Sequence, residues 1–247
     1  MDSYYIACNW KDRKEDAGAC TRRIVQCMRG LASCDPSFAE VSIVPRSTRK
    51  LPYRIAVDFE TIKPFVERGR NRTDVPPRKI IEKLGYNISL SADYRNREKK
   101  WVINAMCGAY PQTSGMLNYC KLSLPREADA LDGSLQRGTA ACLVQAMISS
   151  WDPDWAVVQG LHFGDYIRQM AGVPKYAPKQ VFVGWMSYFA DRVGKVPDDV
   201  PVHSKIRLEH GTLLVLTEEP ITTDRPEHLS TASAVLARLQ GAGLVPV

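Results

Sequence analysis

The chain has 247 residues, 45% of them hydrophobic and 24% charged, which is the composition of an ordinary soluble globular protein. No stretch approaches the roughly 20 apolar residues of a membrane span, and the first residues lack the pattern of a secretory signal, so we expect a cytoplasmic protein. The formal net charge of +6 is uneven, because residues 1–110 hold 21 Lys and Arg against 13 Asp and Glu, whereas residues 111–247 hold 12 against 14.

The first half opens with a predicted strand at residues 4–9 and an amphipathic helix at residues 15–33. One face of this helix carries two cysteines with Ile24 and Leu31 at helical spacing. The seven cysteines of the chain are odd in number and include no C-x-x-C pair. This pattern favours reduced thiols that serve as small apolar core residues.

A nonapeptide recurs along the chain and suggests an internal repeat. SCDPSFAEV at residues 33–41 and SWDPDWAVV at residues 150–158 share Ser, Asp-Pro, an aromatic residue, Ala and Val at the same offset. Each follows a predicted strand and helix and precedes a predicted strand pair. We therefore expect an α+β protein with two similar β-α-β-β halves, residues 1–110 and 111–247, plus a C-terminal helix. The halves are expected to form one compact unit of mixed or antiparallel sheets with helices packed on their faces.

The Pro- and Arg-rich residues 45–80 form the least predictable segment, and their composition favours a surface excursion within the basic first half. A short helix at residues 58–68, interrupted near Pro64, is compatible with this segment. The sequence PPRKIIEKLGY then predicts a helix that ends at Gly85, where a residue without Cβ adopts the left-handed conformation.

Turn and cap residues mark the last elements. SKIRLEHGTLLVLTEE predicts a β-hairpin that turns at His210-Gly211, because glycine supplies the positive φ of a two-residue turn. The final helix is predicted to have Asp224 as N-cap and Pro226 in its first turn. Glu227 would complete a capping box with Asp224.

The run QVFVGWMSYFADR at residues 180–192 is almost continuously apolar, which predicts a central strand buried on both faces. A glycine weakens such a strand unless something must approach its backbone, so we interpret Gly184 as a position where a bulky ring or a helix packs. Trp185 is interpreted as a core anchor whose indole N–H seeks a partner. A ligand site at this run is the alternative.

A search for chemistry finds no phosphate-binding loop and no metal-ligand spacing among the four histidines. The adjacent carboxylates at 198–199 and 218–219 would point to opposite faces of a strand, which makes poor acid–base pairs. No catalytic, metal or cofactor site is therefore expected. A thiol-dependent enzyme is one alternative, with Cys142 as nucleophile and His162 and Asp165 in a glycine-flanked loop.

A nucleic-acid-binding protein that uses the basic first half is the other alternative, because clustered cations neutralise phosphates. Few rings lie nearby for base stacking, namely Tyr53, Tyr94 and Trp101, and most of the charges flank turns, as on an ordinary solvated surface. The clustered residues are Arg46, Arg49, Lys50 and Arg54, then Arg68, Arg70 and Arg72, then Arg95, Arg97, Lys99 and Lys100.

Six stretches in a fixed order carry a resemblance that periodicity does not explain. They are YYIACNW, EKLGYNISLSAD, NYCKLSLP, SSWDPDWAVV, VFVGWMSYF and TDRPEHLSTASAVLARLQGAGLVP, and residues 45–80 match least. Together they resemble the Immunity protein 52 family of bacterial polymorphic-toxin systems. The structural core of these motifs is expected at Trp10, Trp151, Trp155, Gly184 and Trp185.

The resemblance implies an immunity protein that neutralises a cognate toxin, a nuclease effector of a type VI secretion or related system, in a stoichiometric complex. Such a protein has no active site or cofactor of its own, and neither a membrane nor a nucleic acid is its expected partner. Because nuclease clefts attract phosphate, a protein that blocks one commonly presents carboxylates. The predicted toxin-binding residues are Asp191, Asp198, Asp199, Glu209, Glu218 and Glu219. Alternatively, the basic first half binds an acidic toxin surface outside the cleft.

Overall fold

The computed structural model describes residues 3–44, 53–92, 101–111, 118–126, 136–173 and 182–245. The strands are β1 (Ser3–Trp10), β2 (Val41–Ile43), β3 (Tyr53–Ile55), β4 (Tyr86–Ser91), β5 (Val102–Cys107), β6 (Asn118–Arg126), β7 (Trp155–Gly160), β8 (Met186–Ala190), β9 (Ser204–Leu208) and β10 (Gly211–Val215). The helices are α1 (Ala17–Cys34), α2 (Phe59–Arg68), α3 (Arg137–Trp151), α4 (Leu161–Met170) and α5 (Pro226–Gly241). The α+β class is confirmed. Within these ranges no helix is long and apolar enough to cross a membrane.

All ten strands belong to one antiparallel sheet with the order β3-β2-β4-β5-β6-β1-β7-β8-β10-β9. The first strand of each half lies at the centre, where β1 pairs with β6. After α1 the chain passes to β2 near one edge and returns inward through β4 and β5. After α3 it enters β7 beside β1 and moves outward through β8 and β10. Each half thus begins with a strand, a helix and a further strand, and the later strands of the two halves extend toward opposite edges of the sheet.

Helices α1 and α3 pack side by side against one face of the sheet. Gly30 of α1 permits close approach, because a Cβ there would lie 3.1 Å from the Cβ of Ala146. Trp10 of β1 stacks on Trp151 of α3 with ring centroids 5.1 Å apart. Since strand side chains alternate, Trp10 and its even-numbered neighbours face these helices, and the odd-numbered residues of β1 face the other side.

A disulfide joins Cys34 at the end of α1 to Cys142 of α3 across a sequence separation of 108. The interpretation of all seven cysteines as reduced thiols is therefore wrong for this pair, because a count of cysteines does not show which helix faces meet. The other five cysteines are free and buried, as expected for small apolar residues. Burial raises the pKa of the Cys8 and Cys120 thiols, which keeps them protonated and unreactive.

The segment before Gly85 differs from the prediction. The helix predicted at 58–68 is confirmed as α2, with Asp58 as its N-cap, but the predicted interruption is wrong because the helix continues through Pro64. The helix predicted to end at Gly85 is reduced to a single 3₁₀ turn at Glu82–Leu84. It does not extend further back because Arg72 and Ile80 form a β-bridge, which holds the backbone extended there.

The hairpin of β9 and β10 is confirmed, but its glycine has another role. The loop consists of residues 209–210, and Gly211 is the first residue of β10. Its φ is not positive. A Cβ at Gly211 would lie 2.4 Å from the carbonyl oxygen of Phe189, so glycine is needed for the close approach of β8.

The start of α5 also corrects the prediction. Pro226 occupies the first turn as expected, but the N-cap is Arg225 and no side chain caps the helix, so the capping box of Asp224 and Glu227 is wrong. The helix is amphipathic: Ala232, Val235, Leu236 and Leu239 are buried, and Leu229 is half-buried. This face, and not a capping box, holds the helix in place.

The apolar run around Gly184 is confirmed as buried, and β8 lies between β7 and β10 with all five residues buried. Gly184 itself precedes the strand, and a Cβ there would lie 2.5 Å from the carbonyl oxygen of Val158. The group that approaches Gly184 is therefore the backbone of β7, not a ring or a helix. As predicted, the Trp185 indole finds a partner, donating to the Thr217 carbonyl at 3.0 Å.

Candidate functional site

The six acidic residues predicted to bind a partner lie in the second half, at the ends of β8 to β10 and in the adjoining loops. Each carboxylate is within 4.0 Å of a basic side chain. The pairs are Asp191 with Arg207, Asp198 with Lys195, Asp199 with Arg238, Glu209 with His210, Glu218 with Arg137, and Glu219 with Arg225. The structure thus presents alternating charges here and not one continuous acidic field.

One of these pairs is bidentate. Arg207 donates from both terminal nitrogens to Asp191, at 2.6 and 2.5 Å, and these bonds lower the pKa of the Asp191 carboxyl. Arg238 of α5 donates to Asp199 at 2.8 Å and lowers the pKa of that carboxyl in the same way. Both carboxylates are exposed yet already compensated by cations of the same chain.

The basic residues proposed to bind nucleic acid are used within the fold where the structure describes them. Arg54 pairs with Glu40 at 2.7 Å. Arg68 lies over the Phe65 ring at 4.5 Å, and Arg70 lies over a tyrosine ring at 5.9 Å. Arg72 donates to a backbone carbonyl at 3.2 Å. The predictions for Arg46, Arg49, Lys50, Tyr94, Arg95, Arg97, Lys99 and Lys100 lie outside the described residues.

The residues considered for a thiol enzyme do not form its site. Cys142 is bonded to Cys34, so it is not a free nucleophile. His162 and Asp165 lie in the helix α4, not in a loop as predicted. Across the described part of the chain, no three His, Cys, Asp or Glu side chains are grouped so that they could hold a metal ion.

A cavity of about 570 Å³ opens on the sheet face opposite α1 and α3. We call it the sheet cavity. Its floor consists of side chains from β1 and β5 to β7, namely Tyr5, Ala7, Asn9, Asn104, Tyr119, Lys121, Val157 and Gln159. Leu161, Gly164, Asp165 and Arg168 of α4 form one wall, and Phe182 closes another side.

Strand alternation explains why these residues meet. In β1 the core receives Ile6 and Cys8, while Tyr5, Ala7 and Asn9 face the cavity. Sequence reasoning missed the site because it treated YYIACNW and NYCKLSLP as strand labels. The detectable signal was the alternation of Tyr, Asn and Lys with buried residues in both segments.

Two amides in the floor are buried without complete hydrogen bonding. Asn9 is 2% exposed and Gln159 is 6% exposed. Neither Asn9 Nδ2 nor Gln159 Oε1 has a hydrogen-bond partner within the described structure, although Gln159 Nε2 donates to the Tyr5 hydroxyl. An unpaired buried polar group costs about 1–3 kcal/mol, so these amides weaken the isolated chain.

Lys121 adds a cation to this floor. Its Nζ lies 4.0 Å from the Tyr5 ring centroid, and burial lowers the pKa of its ammonium. Asn104 lies beside it and accepts a bond from Ser89 at 2.6 Å through Oδ1, which leaves its NH₂ group as a donor. The cavity therefore combines hydrogen-bond donors with aromatic and apolar surface.

Aromatic stacking frames the same face of the sheet. Trp155 of β7 is half-buried and stacks on Phe182 with centroids 5.1 Å apart. The other tryptophans expected in the structural core, Trp10, Trp151 and Trp185, are at most 2% exposed. Trp155 alone among these four contributes to the cavity side.

The Immunity protein 52 profile matches residues 2–247, so the chain belongs to that family, and the recognition made from sequence is confirmed. This membership supports an immunity role. The fold is similar to that of the Pseudomonas aeruginosa T6SS protein PA0821, with a TM-score of 0.58, 10% identity, and coverage of 97% of this chain and 73% of that chain. A search of curated proteins found no significant match.

Proposed function

We propose that this chain neutralises a cognate bacterial toxin by forming a stoichiometric complex, and that the toxin is a nuclease effector of a type VI secretion or related system. Family membership across residues 2–247 carries the proposal. The similarity in fold to a T6SS protein supports the secretion setting. The nuclease class follows from the resemblance to a family typically paired with such toxins.

The mechanism we propose is occlusion by a rigid surface. A stable complex of this kind buries roughly 800 Å² on each partner, with a few aromatic or arginine residues dominating its free energy. The ten-stranded sheet with its stacked tryptophans supplies a surface that needs little reorganisation on binding. Low reorganisation favours tight association.

The acidic residues remain a predicted contact surface. Exposed ion pairs are worth about 0–1 kcal/mol each, so toxin cations could replace Arg207 or Arg238 at small cost. Charge reversal at residues 198–199 and 218–219 is expected to slow association and to increase its dependence on salt. Unchanged association kinetics in stopped-flow measurements would remove the acidic surface from the interface.

The decisive experiment is co-expression with the toxin encoded by the adjacent reading frame. We expect growth to be restored, a 1:1 complex on size-exclusion chromatography, and loss of the toxin's nuclease activity in vitro. An unrelated nuclease toxin serves as the specificity control. Continued toxicity despite soluble expression of both chains would refute the proposal. Nucleic-acid binding by this chain alone, weakening steeply with salt, would favour the alternative function.

A further inference from the structure

We propose that the sheet cavity is the recognition site for the toxin, and that it receives a toxin loop whose carboxylate side chain binds Asn9, Asn104 and Lys121. This inference depends on the proposed function, and it assigns the partner's chemistry and the contact site. It places recognition at the centre of the sheet, away from the six acidic residues.

Two buried asparagines of the described chain differ in how completely their side chains are hydrogen-bonded. Asn118 is 1% exposed, and its side chain makes three hydrogen bonds, accepting from the Ala109 amide and donating to two carbonyls. Asn9 is 2% exposed, yet its Nδ2 has no partner within the described structure. Asn118 is therefore a structural amide. A donor that the chain itself leaves unpaired, at the floor of an open cavity, is suited to a partner's acceptor.

The unpaired groups around Lys121 on the cavity floor are mainly hydrogen-bond donors. Asn9 Nδ2, Asn104 Nδ2 and Lys121 Nζ are donors, and none makes a hydrogen bond within the described structure. An ionised carboxylate is acceptor-only and can accept from several donors at once. No carboxylate of the described chain pairs with Lys121. The unpaired groups of the described floor are thus three donors, one of them charged, against one acceptor, Gln159 Oε1, and this balance favours a negatively charged, acceptor-rich group on the partner.

The strand register brings these donors to neighbouring positions on one face of the sheet. Lys121 of β6 lies directly opposite Asn104 of β5 and directly opposite Ala7 of β1. Directly opposed side chains on one sheet face lie about 4.5–5.5 Å apart, and diagonal ones about 7–8 Å apart. Asn9 is diagonal to Lys121 across β1, and Ala7 between them is small enough to leave space. The three donors thus lie on three adjacent strands with Lys121 on the middle one, so a carboxylate bound to Lys121 would be flanked by the two amides.

The side chains that surround the donors favour a protein loop over a nucleic acid as the occupant of the cavity. Tyr5, Tyr119 and Phe182 border the donors, and Leu161 on the wall is 49% exposed. Aromatic and apolar surface around a half-buried cation such as Lys121 is typical of an interface hot spot. Nucleic acid requires several cations along a groove, whereas the described lining of this cavity contains two, Lys121 and Arg168, and Asp165 lies on the same wall as Arg168.

The test compares Lys121→Met and Asn9→Leu with the wild type in titrations against a catalytically inactive toxin. Each substitution removes a donor but keeps similar volume, and each is expected to weaken binding at least tenfold, mainly through faster dissociation. Asn9→Leu should also keep or raise the melting temperature, because it removes an unsatisfied buried group. Lys63→Met is the matched control, since Lys63 also lies over an aromatic ring, at 5.6 Å, but on α2.

A second measurement uses the unmodified chain. Amine labelling followed by mass spectrometry should show Lys121 reactive in the free protein and protected in the complex, while Lys63 reacts in both. Wild-type affinity in both folded variants, or an unprotected Lys121, would overturn the inference and leave the proposed function intact. Binding of an oligonucleotide that Lys121→Met abolishes would also overturn it. Failure of the wild type to bind the toxin would instead refute the proposed function.

Discussion

Breaking the link between α1 and α3 is expected to lower stability markedly. Cys34 and Cys142 are 108 residues apart, and the chain-entropy treatment of a loop this long gives about 4.8 kcal/mol at 25 °C. Typical disulfides contribute about 2–4 kcal/mol, so we expect the double variant C34S/C142S to lose about 3 kcal/mol. For a chain of this size the loss corresponds to a melting temperature lower by roughly 6–12 °C.

Thermal unfolding followed by circular dichroism, with and without reductant, measures this difference. The wild type should lose stability when reductant is added, whereas C34S/C142S should be insensitive to it. The comparison with and without reductant is itself the control, because it isolates the effect of the disulfide. A substitution of a free cysteine such as Cys27→Ser would not serve as a control, since Cys27 is buried in the core and its replacement would itself lower stability. Equal melting temperatures for wild type and double variant under oxidising conditions would refute the reasoning.

Two further predictions concern single residues. Gly184→Ala would place a Cβ 2.5 Å from the Val158 carbonyl oxygen and is expected to lower the free energy of unfolding, measured in urea, by about 1–3 kcal/mol. Gly138→Ala is the control, because no atom lies within 4 Å of its new Cβ and the protein should keep its stability. Equal unfolding midpoints for the two variants would contradict this prediction. His228 is buried, accepts from the Thr222 amide through Nδ1, and has its pKa lowered by desolvation, so the unfolded chain binds the proton more readily. Its contribution is present above the unfolded pKa of about 6.5 and is lost as pH falls toward the folded pKa, so the melting temperature should drop between pH 7.5 and 5, and less so in His228→Gln.

Local patterns in the sequence predicted local structure well, and long-range contacts explain what they missed. The apolar face of α1 and the burial around Trp185 follow from spacing that any helix or buried strand imposes. The pairing of Cys34 with Cys142 depends on how two helices meet, which no local pattern encodes. Gly211 was identified correctly as a special position for the wrong reason, because the constraint comes from β8 and not from the turn.

The candidate site was missed for a related physical reason. The alternation in β1 was visible, but its meaning depends on which neighbours complete the surface, and these neighbours come from strands on both sides of β1. Asn9 reads as an ordinary strand residue until Lys121 and Asn104 are placed beside it. A single polar residue in one strand therefore does not indicate a binding site, whereas three donors on adjacent strands do.

The two faces of β1 thus have different roles, because one face stabilises the fold and the other is the one proposed to contact the partner. Trp10 and the other even-numbered residues of β1 pack under the helices and hold the sheet rigid. Asn9 and Tyr5 face the cavity, where an unpaired amide weakens the free chain and gives a partner something to satisfy. The amide of Asn118, which lies outside the cavity, is fully bonded within the fold. Because Asn9 is not, its free energy contribution is expected to be favourable only in a complex.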